Sequence, residues 1–398
     1  MNPKTRAKMQ LTIQGLINQF GFFLLLSSSK TIALHFDQNN LVSAIMFAAN
    51  IASVTILFIN ALLLMRFKPK HRLIANTFIM IAGYGCIVAG WFSSFYLVVV
   101  GAIFTGTASA FGQVIHYGFI KSIPAEFVGP FSSGTGICGF VGSLIFLVLD
   151  SQEVPTYIIF SVMIPVVLFY LANFINLDAH VMKNNFFKEA DRSPTPRFGL
   201  EVLNHSSSCV GQTQTENETL IENKEQTLWE GYKIDPLNHV WVFFFYIFEY
   251  TIITGFFDRL SQLRTVEDDG FFEKNLFTIN QFLYQFGVLI ARSSLYCVKS
   301  KATGLMTILL FILFIAFFAF CLFYVNVNKF IILALATLVG LIGGWCYVFS
   351  YYRVMDNKKL TKINREKLIN YLAVAADFGS FLATGLATVL SLTILKVD

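Results

Sequence analysis

The segment Arg192-Ser-Pro-Thr-Pro-Arg197 lies inside a polar stretch, residues 177–238, that divides an otherwise apolar chain of 398 residues. Lys, Glu, Asn, Ser and Pro dominate this stretch, whereas Phe, Leu, Ile and Val dominate both flanks. Six apolar segments precede it and five follow it. Each approaches the length of about 20 residues that an α-helix needs to cross a bilayer core. The pattern predicts two membrane-embedded halves, residues 1–176 and 239–398, joined by a cytosolic, largely disordered linker, residues 177–238.

The composition is that of a polytopic membrane protein. Hydrophobic residues make up 55% of the chain and charged residues 13%, against about 25% charged residues in a typical soluble domain. An N-terminus in the cytosol puts most of the 29 Lys and Arg residues on the cytosolic side, as the positive-inside rule requires. With about 11 spans, the C-terminus is then lumenal. The net charge of +5 follows from this topology and does not indicate nucleic-acid binding.

Ionisable residues inside the apolar segments are the first candidates for a functional site, because each costs about 2.5–3.5 kcal/mol at the centre of a membrane helix. Glu249 lies in the middle of the seventh segment, Asp377 in the eleventh and Arg292 late in the eighth. A buried carboxylate is what proton-coupled transport requires, but an internal pair that fixes the bundle explains it equally well. For Arg292 the alternative is a side chain that extends to the membrane surface.

Other polar side chains within the apolar segments are candidates for lining a substrate path or coupling to protons: Asn18, Gln113, His116, Tyr250, Tyr284 and Gln285. Gln113 and His116 share one helical face, three residues apart. Hydrogen bonds between helices are the alternative explanation for many of these residues and need no substrate.

The stretch Ser132-Ser133-Gly134-Thr135-Gly136 follows two prolines and is predicted to begin the fifth helix. Its hydroxyl groups and the free N–H groups of a helix start give it the means to hold an anionic group, with ordinary capping as the alternative. The overlapping GxGxxG pattern does not indicate dinucleotide binding, because no strand or βαβ unit surrounds it. Close packing of helices explains these glycines and those of Gly340–Gly344.

Signatures of enzymes and metal sites are missing from the sequence. It contains no HExxH, GxSxG or GxxxxGK[ST] pattern, and its cysteines and histidines do not have the spacing of a metal site. We therefore expect no catalytic residue, no metal and no cofactor. A lipid-metabolising enzyme would need a nucleophile that no motif supplies.

Several blocks occur in the order found in the battenin family, which comprises the Batten-disease protein and its fungal and protist relatives. They are Gly15-Leu-Ile-Asn-Gln-Phe20, Ser132–Gly136, Phe248-Glu-Tyr250, Tyr284-Gln-Phe-Gly-Val288, Arg292-Ser-Ser-Leu295, Gly340-Leu-Ile-Gly-Gly344 and Arg365-Glu366 ahead of Asp377. The chain resembles this family over nearly its whole length except the linker. It departs from the family in carrying Gly112-Gln113 where a Gly-Glu pair is usual, and in lacking the terminal lipidation signals of animal members.

The resemblance implies an all-α transporter with the two-bundle architecture of the major facilitator superfamily (MFS), six helices followed by five, in a lysosomal, late-endosomal or vacuolar membrane. It implies a small polar substrate, a glycerophosphodiester or a basic amino acid, with proton coupling and an influence on lumenal pH. On this basis Arg292 and Ser132–Gly136 are expected to hold a phosphodiester, and Glu249 or Asp377 to take a proton. The alternative is a non-transporting adaptor that regulates endolysosomal trafficking and acidification through cytosolic partners of the linker.

Overall fold

The computed structural model describes the chain except for residues 1, 65–66, 121–122, 124–126, 185–232, 234, 266–270, 295–299, 324–326, 356, 358–361 and 396–398. All regular secondary structure of the described residues is helical. In chain order the helices are α1 (Pro3–His35), α2 (Val42–Leu62), α3 (Pro69–Trp91), α4 (Phe95–Ile120), α5 (Val128–Ser151), α6 (Thr156–Lys183), α7 (Pro236–Thr251), α8 (Phe257–Thr265), α9 (Phe271–Lys274), α10 (Leu276–Ser293), α11 (Thr303–Leu322), α12 (Lys329–Met355) and α13 (Lys362–Leu392). A π turn, Ile252–Phe256, joins α7 to α8, and a 3-10 turn, Asn39–Leu41, precedes α2.

Within the described residues, ten helices are long and apolar enough to cross a membrane, which confirms the predicted polytopic helical fold. The eighth predicted span corresponds to α10, which is not among the ten. Its 18 residues include the buried Asn280, Gln281 and Gln285, together with Arg292. These polar side chains lower its mean hydropathy. They are accommodated because α10 packs between α5 and α12 and faces protein on both sides.

Both predicted ends of the linker are helical in the structure, so the segment between α6 and α7 is shorter than predicted. Helix α6 continues to Lys183 rather than ending at 176, and α7 begins at Pro236 rather than 239. No helix breaker follows Leu177, and Leu177 and Val181, four residues apart, remain buried on one face. Residues 185–232, most of the predicted linker, lie outside the described residues.

Helices α1–α6 form an N-terminal bundle, in which α1 packs against α5 and α6, α2 against α4, and α3 against α4 and α6. Helices α7–α13 form a C-terminal bundle, in which α7 packs against α13 and α11, and α10 against α12. The pairs α1–α5 and α2–α4 thus recur as α7–α13 and α10–α12. The bundles meet where α2 packs against α13 and α5 against α10.

Contacts at the helix ends give the bundle two distinct ends. The His180 ring lies 3.0 Å from the Pro3 carbonyl oxygen, so α6 ends where α1 begins; we call this the N-terminal end. The His35 ring stacks on Trp91 with centroids 3.8 Å apart, so α1 and α3 end together at the opposite end. Loops therefore alternate between the two ends, as consecutive membrane spans require.

Glycines permit the closest helix contacts, as the sequence predicts for both glycine-rich stretches. A Cβ on Gly134 would overlap the Thr12 carbonyl of α1, and one on Gly340 would overlap the Tyr284 carbonyl of α10. Small residues at these positions let α5 and α12 approach the backbones of their neighbours.

Candidate functional site

Arg292 lies in the last turn of α10, at the boundary between the two bundles. Its guanidinium carbon lies 4.3 Å from the ring centroid of Tyr347 on α12, within the range of a cation–π interaction. A Cβ on Gly136 of α5 would lie 3.7 Å from the Arg292 Cδ atom, so the side chain passes directly over this glycine. Its Nε atom is buried without a hydrogen-bond partner, and no described carboxylate forms an ion pair with it. Arg292 therefore keeps donor capacity for a further group.

Tyrosines from four helices surround Arg292. Tyr246 and Tyr284 are close enough to interact electrostatically with the guanidinium, and Tyr117 of α4 approaches it from the N-terminal bundle, beside Ser132 and Tyr347. Phenol rings and hydroxyl groups can contact an organic ligand with both apolar and polar surface. The site therefore combines a cation with aromatic walls contributed by both bundles.

Sequence reasoning missed four of these tyrosines: Tyr117, Tyr246, Tyr347 and Tyr351. The ring centroids of Tyr347 and Tyr351 lie 4.6 Å apart, and those of Tyr246 and Tyr250 lie 6.0 Å apart. Both pairs have the i, i+4 spacing of one helical face. That spacing is the signal that could have found Tyr246, Tyr347 and Tyr351, whereas no such spacing marks Tyr117.

Glu249 on α7 is 3% exposed and accepts a hydrogen bond from the Tyr284 hydroxyl of α10, 2.9 Å from its Oε1 atom. Gly343 of α12 lies against the same oxygen, and a Cβ there would overlap it. The π turn begins three residues after Glu249, and such turns often mark functional sites. Glu249 interacts electrostatically with Arg292 without forming an ion pair.

Asp377 lies near the middle of α13 and is partly exposed. It interacts electrostatically with Tyr250 and Tyr351, but it has no hydrogen-bond partner among the described residues. A carboxylate in this position is available to a ligand or a proton. The structure therefore brings six of the predicted residues, Glu249, Tyr250, Tyr284, Arg292, Asp377 and Ser132, to one region around the tyrosines.

The prediction that Ser132–Gly136 begins the fifth helix is wrong by about one turn. Helix α5 starts at Val128, so the free N–H groups belong to the residues before Ser132. Pro130 fits inside the first turn because its missing N–H group would have no helical partner there. Thr135 donates to the Ser132 carbonyl at 2.8 Å, and Ser133 is exposed. Any anion site here would use side chains rather than a helix start.

Asn18 and Tyr170 belong to a hydrogen-bond network inside the N-terminal bundle. The Asn18 amide donates to the Ser109 carbonyl at 3.0 Å, and the Tyr170 hydroxyl donates to Asn18 Oδ1 at 3.0 Å. Asn18 thus ties α1 to α4 and α6. This agrees with the structural alternative for Asn18, because its partners are protein groups of the same bundle.

His116, Gln113 and Gln285 also contact neighbouring helices. The His116 ring lies between the Gly112 carbonyl oxygen, at 2.6 Å, and Gln14 Oε1, at 3.0 Å. Gln113 accepts a hydrogen bond of 2.8 Å from the Gln19 amide. The Gln285 amide oxygen lies against Gly139 of α5, where a Cβ would overlap it. Gln285 therefore links the two bundles, whereas the other two join α4 to α1.

Among the described residues, no group of three or more His, Cys, Asp or Glu side chains could hold a metal ion. The titratable groups of the site are instead separated by tyrosines. The arrangement can bind a charged organic molecule and hold protons.

Comparisons with known proteins place these features in a wider context. The model of the family described as CLN3 protein matches residues 9–397. Battenin of Dictyostelium discoideum is 28% identical over 400 residues, covering 96% of this chain and 94% of that protein. Protein BTN1 of Saccharomyces cerevisiae is 24% identical over 73% of this chain and 72% of its own length, and battenin of Canis lupus familiaris is 23% identical over 87% and 82%.

Two solved transporter structures have the same fold. A D-xylose-proton symporter matches with a TM-score of 0.60 and 10% identity, covering 96% of this chain and 89% of that structure. The nucleoside transporter NupG matches with a TM-score of 0.57 and 13% identity, covering 98% and 91%. At such low identity the likeness shows the fold alone, an MFS-like arrangement of helices.

Proposed function

The chain belongs to the CLN3 protein family, and from its site we propose that it transports a small polar metabolite through a path between its two bundles. The family and the transporter fold support a membrane transporter-like protein and favour a non-enzymatic role. We assign it to a lysosomal, late-endosomal or vacuolar membrane, with a cytosolic N-terminus and a lumenal C-terminus. The proposal extends to a substrate class and to proton coupling.

The observation that carries the proposal is Arg292, whose buried Nε donor has no partner at the boundary of the bundles. Leaving a buried donor unsatisfied costs about 1–3 kcal/mol, which a bound acceptor recovers. An anionic group meets this need best, because charge-assisted hydrogen bonds to a guanidinium are the strong ones. Both proposed substrates carry such a group, the phosphate of a glycerophosphodiester or the carboxylate of a basic amino acid.

The two substrate classes suit different groups of the site. A basic amino acid also carries a cation, for which the partner-free Asp377 is the suitable contact. A glycerophosphodiester carries glycerol hydroxyl groups, for which the tyrosine hydroxyls around Arg292 are suitable partners. In either case Glu249, bonded to Tyr284 and shielded from water, is the candidate for carrying a proton through the cycle.

The test combines metabolite profiling with direct flux. Acidic organelles purified with and without this protein are compared, and the metabolite that accumulates most is then offered to proteoliposomes under imposed pH gradients. We expect protein-dependent flux that is lost in Arg292→Ala and in Glu249→Gln. Glu273→Gln is the matched control, because Glu273 pairs with Lys329 away from the site. Unchanged flux in both site variants, inserted normally, would show that the site is wrongly assigned.

The adaptor alternative makes the opposite prediction about the polar linker. Deletion of residues 191–225 should abolish function if the chain acts by recruiting cytosolic partners. If the chain is a transporter, the deletion should spare most of the flux, because the described bundles contain the whole candidate site. Absence of flux for every accumulated metabolite, with trafficking still disturbed, would favour the adaptor.

A further inference from the structure

A second group of buried charges lies at the opposite end of the molecule, away from Arg292. Lys30, in the last turns of α1, is 8% exposed, and its Nζ atom donates to Ser261 Oγ of α8 at 2.5 Å. This hydrogen bond joins the N-terminal bundle to the C-terminal bundle. A lysine is rarely so buried unless it is paired.

Carboxylates from both bundles accompany this lysine. Asp258 of α8 is 3% exposed, Asp150 lies near the end of α5, and both attract Lys30 electrostatically. Thr31 donates to Asp150 Oδ1 at 3.2 Å, whereas Asp258 Oδ1 has no hydrogen-bond partner. We call Lys30, Asp150 and Asp258 the end cluster. It places one cation between two carboxylates that belong to different bundles.

Further hydrogen bonds cross the boundary at the same end. The Gln262 amide donates both to Asp258 Oδ2 and to the Asn39 carbonyl, each at 2.9 Å. The Thr388 hydroxyl of α13 lies 3.1 Å from the Ser43 hydroxyl at the start of α2. Polar contacts therefore join the two bundles at this end of the boundary.

Stability alone does not explain the end cluster. Buried ion pairs are often no more stabilising than apolar residues of the same size, because desolvation of the charges offsets their attraction. The Lys329–Glu273 ion pair lies near the same end, but both of its residues belong to the C-terminal bundle. The end cluster differs because Lys30 separates from Asp258 and Ser261 whenever the two bundles move apart.

We propose that the end cluster is a latch that holds the opposite end of the molecule closed, and that its opening exposes the path on that side. The inference rests on the transporter function proposed above, since alternating access requires one end to close while the other opens. Lys30 is the central element, because it alone in the cluster carries positive charge to both carboxylates. Loss of its charge shifts the population towards the open conformation.

A disulfide across the closed end tests this latch without any substrate. The Ser43→Cys/Thr388→Cys protein replaces two hydroxyls in contact across the boundary, and its cross-link is identified by peptide mapping after mild oxidation. We expect Lys30→Gln to lower the rate of cross-linking about tenfold, equivalent to about 1.4 kcal/mol in favour of the open state. Lys30→Arg should retain most of the rate.

The matched control is Lys329→Gln, which removes an ion pair within one bundle at the same end and should leave the rate unchanged. If Lys30→Gln fails to fold, Asp258→Asn provides the same test with an almost identical side-chain shape, and it should also slow cross-linking. Equal rates in the parent, Lys30→Gln and Asp258→Asn proteins would overturn the latch. The cross-linking assay needs no substrate, so the two proposals are tested separately. Absence of flux would refute the proposed function, whereas only the cross-linking rates decide whether the latch exists.

Discussion

Replacement of Gly343 by alanine tests whether the Glu249 carboxylate is held in one defined position. Gly343 faces Glu249 from α12, and an added Cβ would overlap the Oε1 atom that accepts the Tyr284 hydrogen bond. The same Cβ would lie 3.8 Å from the Tyr284 ring, an ordinary contact. The methyl group therefore has room beside the tyrosine but not beside the carboxylate, so Glu249 must turn away.

The magnitude follows from the groups that change. Turning the carboxylate away breaks a hydrogen bond to a charged group, which contributes about 1.5–3 kcal/mol. Replacing glycine by alanine inside a helix stabilises the folded protein by about 0.5–1 kcal/mol. We therefore expect Gly343→Ala to lower the free energy of unfolding by about 0.5–2.5 kcal/mol, the difference between those two ranges.

The assay is the fraction of detergent-solubilised protein that remains monodisperse after stepwise heating, measured alongside flux in proteoliposomes. Gly85→Ala is the matched control, because Gly85 lies inside α3 and a Cβ there would meet nothing within 4 Å. We expect the control to be as stable as the parent or slightly more stable, and to transport normally. Gly343→Ala should lose both stability and flux.

The double variant Gly343→Ala/Glu249→Ala decides the cause. If the added methyl acts by displacing the carboxylate, the two changes are not additive, and the double variant should be as stable as Glu249→Ala alone or slightly more stable. Additive losses of stability, or a Gly343→Ala protein as stable as the Gly85→Ala control, would refute the reasoning. Glu249 would then have room to move without losing Tyr284.

Three further outcomes follow from the contacts of the site. Arg292→Lys should weaken substrate binding by about 1.5–3 kcal/mol, because a lysine cannot reproduce the planar donor group. Arg353→Lys should not change binding, because Arg353 pairs with Asp235 away from the site. Tyr347→Leu should weaken binding by up to about 2 kcal/mol through loss of the ring beneath the guanidinium, and Tyr347→Phe should retain it; binding isotherms measure both. Asn18→Ala should lower stability by about 1–3 kcal/mol in the heating assay, because the Tyr170 hydroxyl loses its acceptor, while the affinity for substrate stays the same.

The sequence was sufficient to predict the helical membrane fold, since the length of each apolar segment fixes whether it can cross a bilayer. Charged residues within those segments were also identifiable, and Glu249, Arg292 and Asp377 do lie in one region of the structure. A charged side chain inside a membrane helix costs free energy, so such a residue can be recognised as a functional candidate from the sequence alone.

The remaining features depend on how helices face one another. The i, i+4 spacing of Tyr347 and Tyr351 places them on one face of α12, but only the packing of α12 against α10 shows that Tyr347 covers Arg292. The start of α5 was misjudged because Pro130 suggested a boundary, whereas the first turn of a helix accepts proline. The latch could not be predicted, because Lys30 and Asp258 are 228 positions apart and meet only when the bundles close.

The positions of Arg292 and Asp377 suggest how a bound ligand acts on the helix contacts between the two bundles. Helices α10 and α13 are the two C-terminal helices that pack most extensively against the N-terminal bundle, through α5 and α2 respectively. Each of the two carries one of these charged side chains, and neither side chain has an ion-pair partner among the described residues. A ligand that engages both charges therefore acts on both contacts at once. Glu249 is linked to both of these helices, because its own helix α7 packs against α13 and its carboxylate accepts the hydrogen bond from Tyr284 of α10.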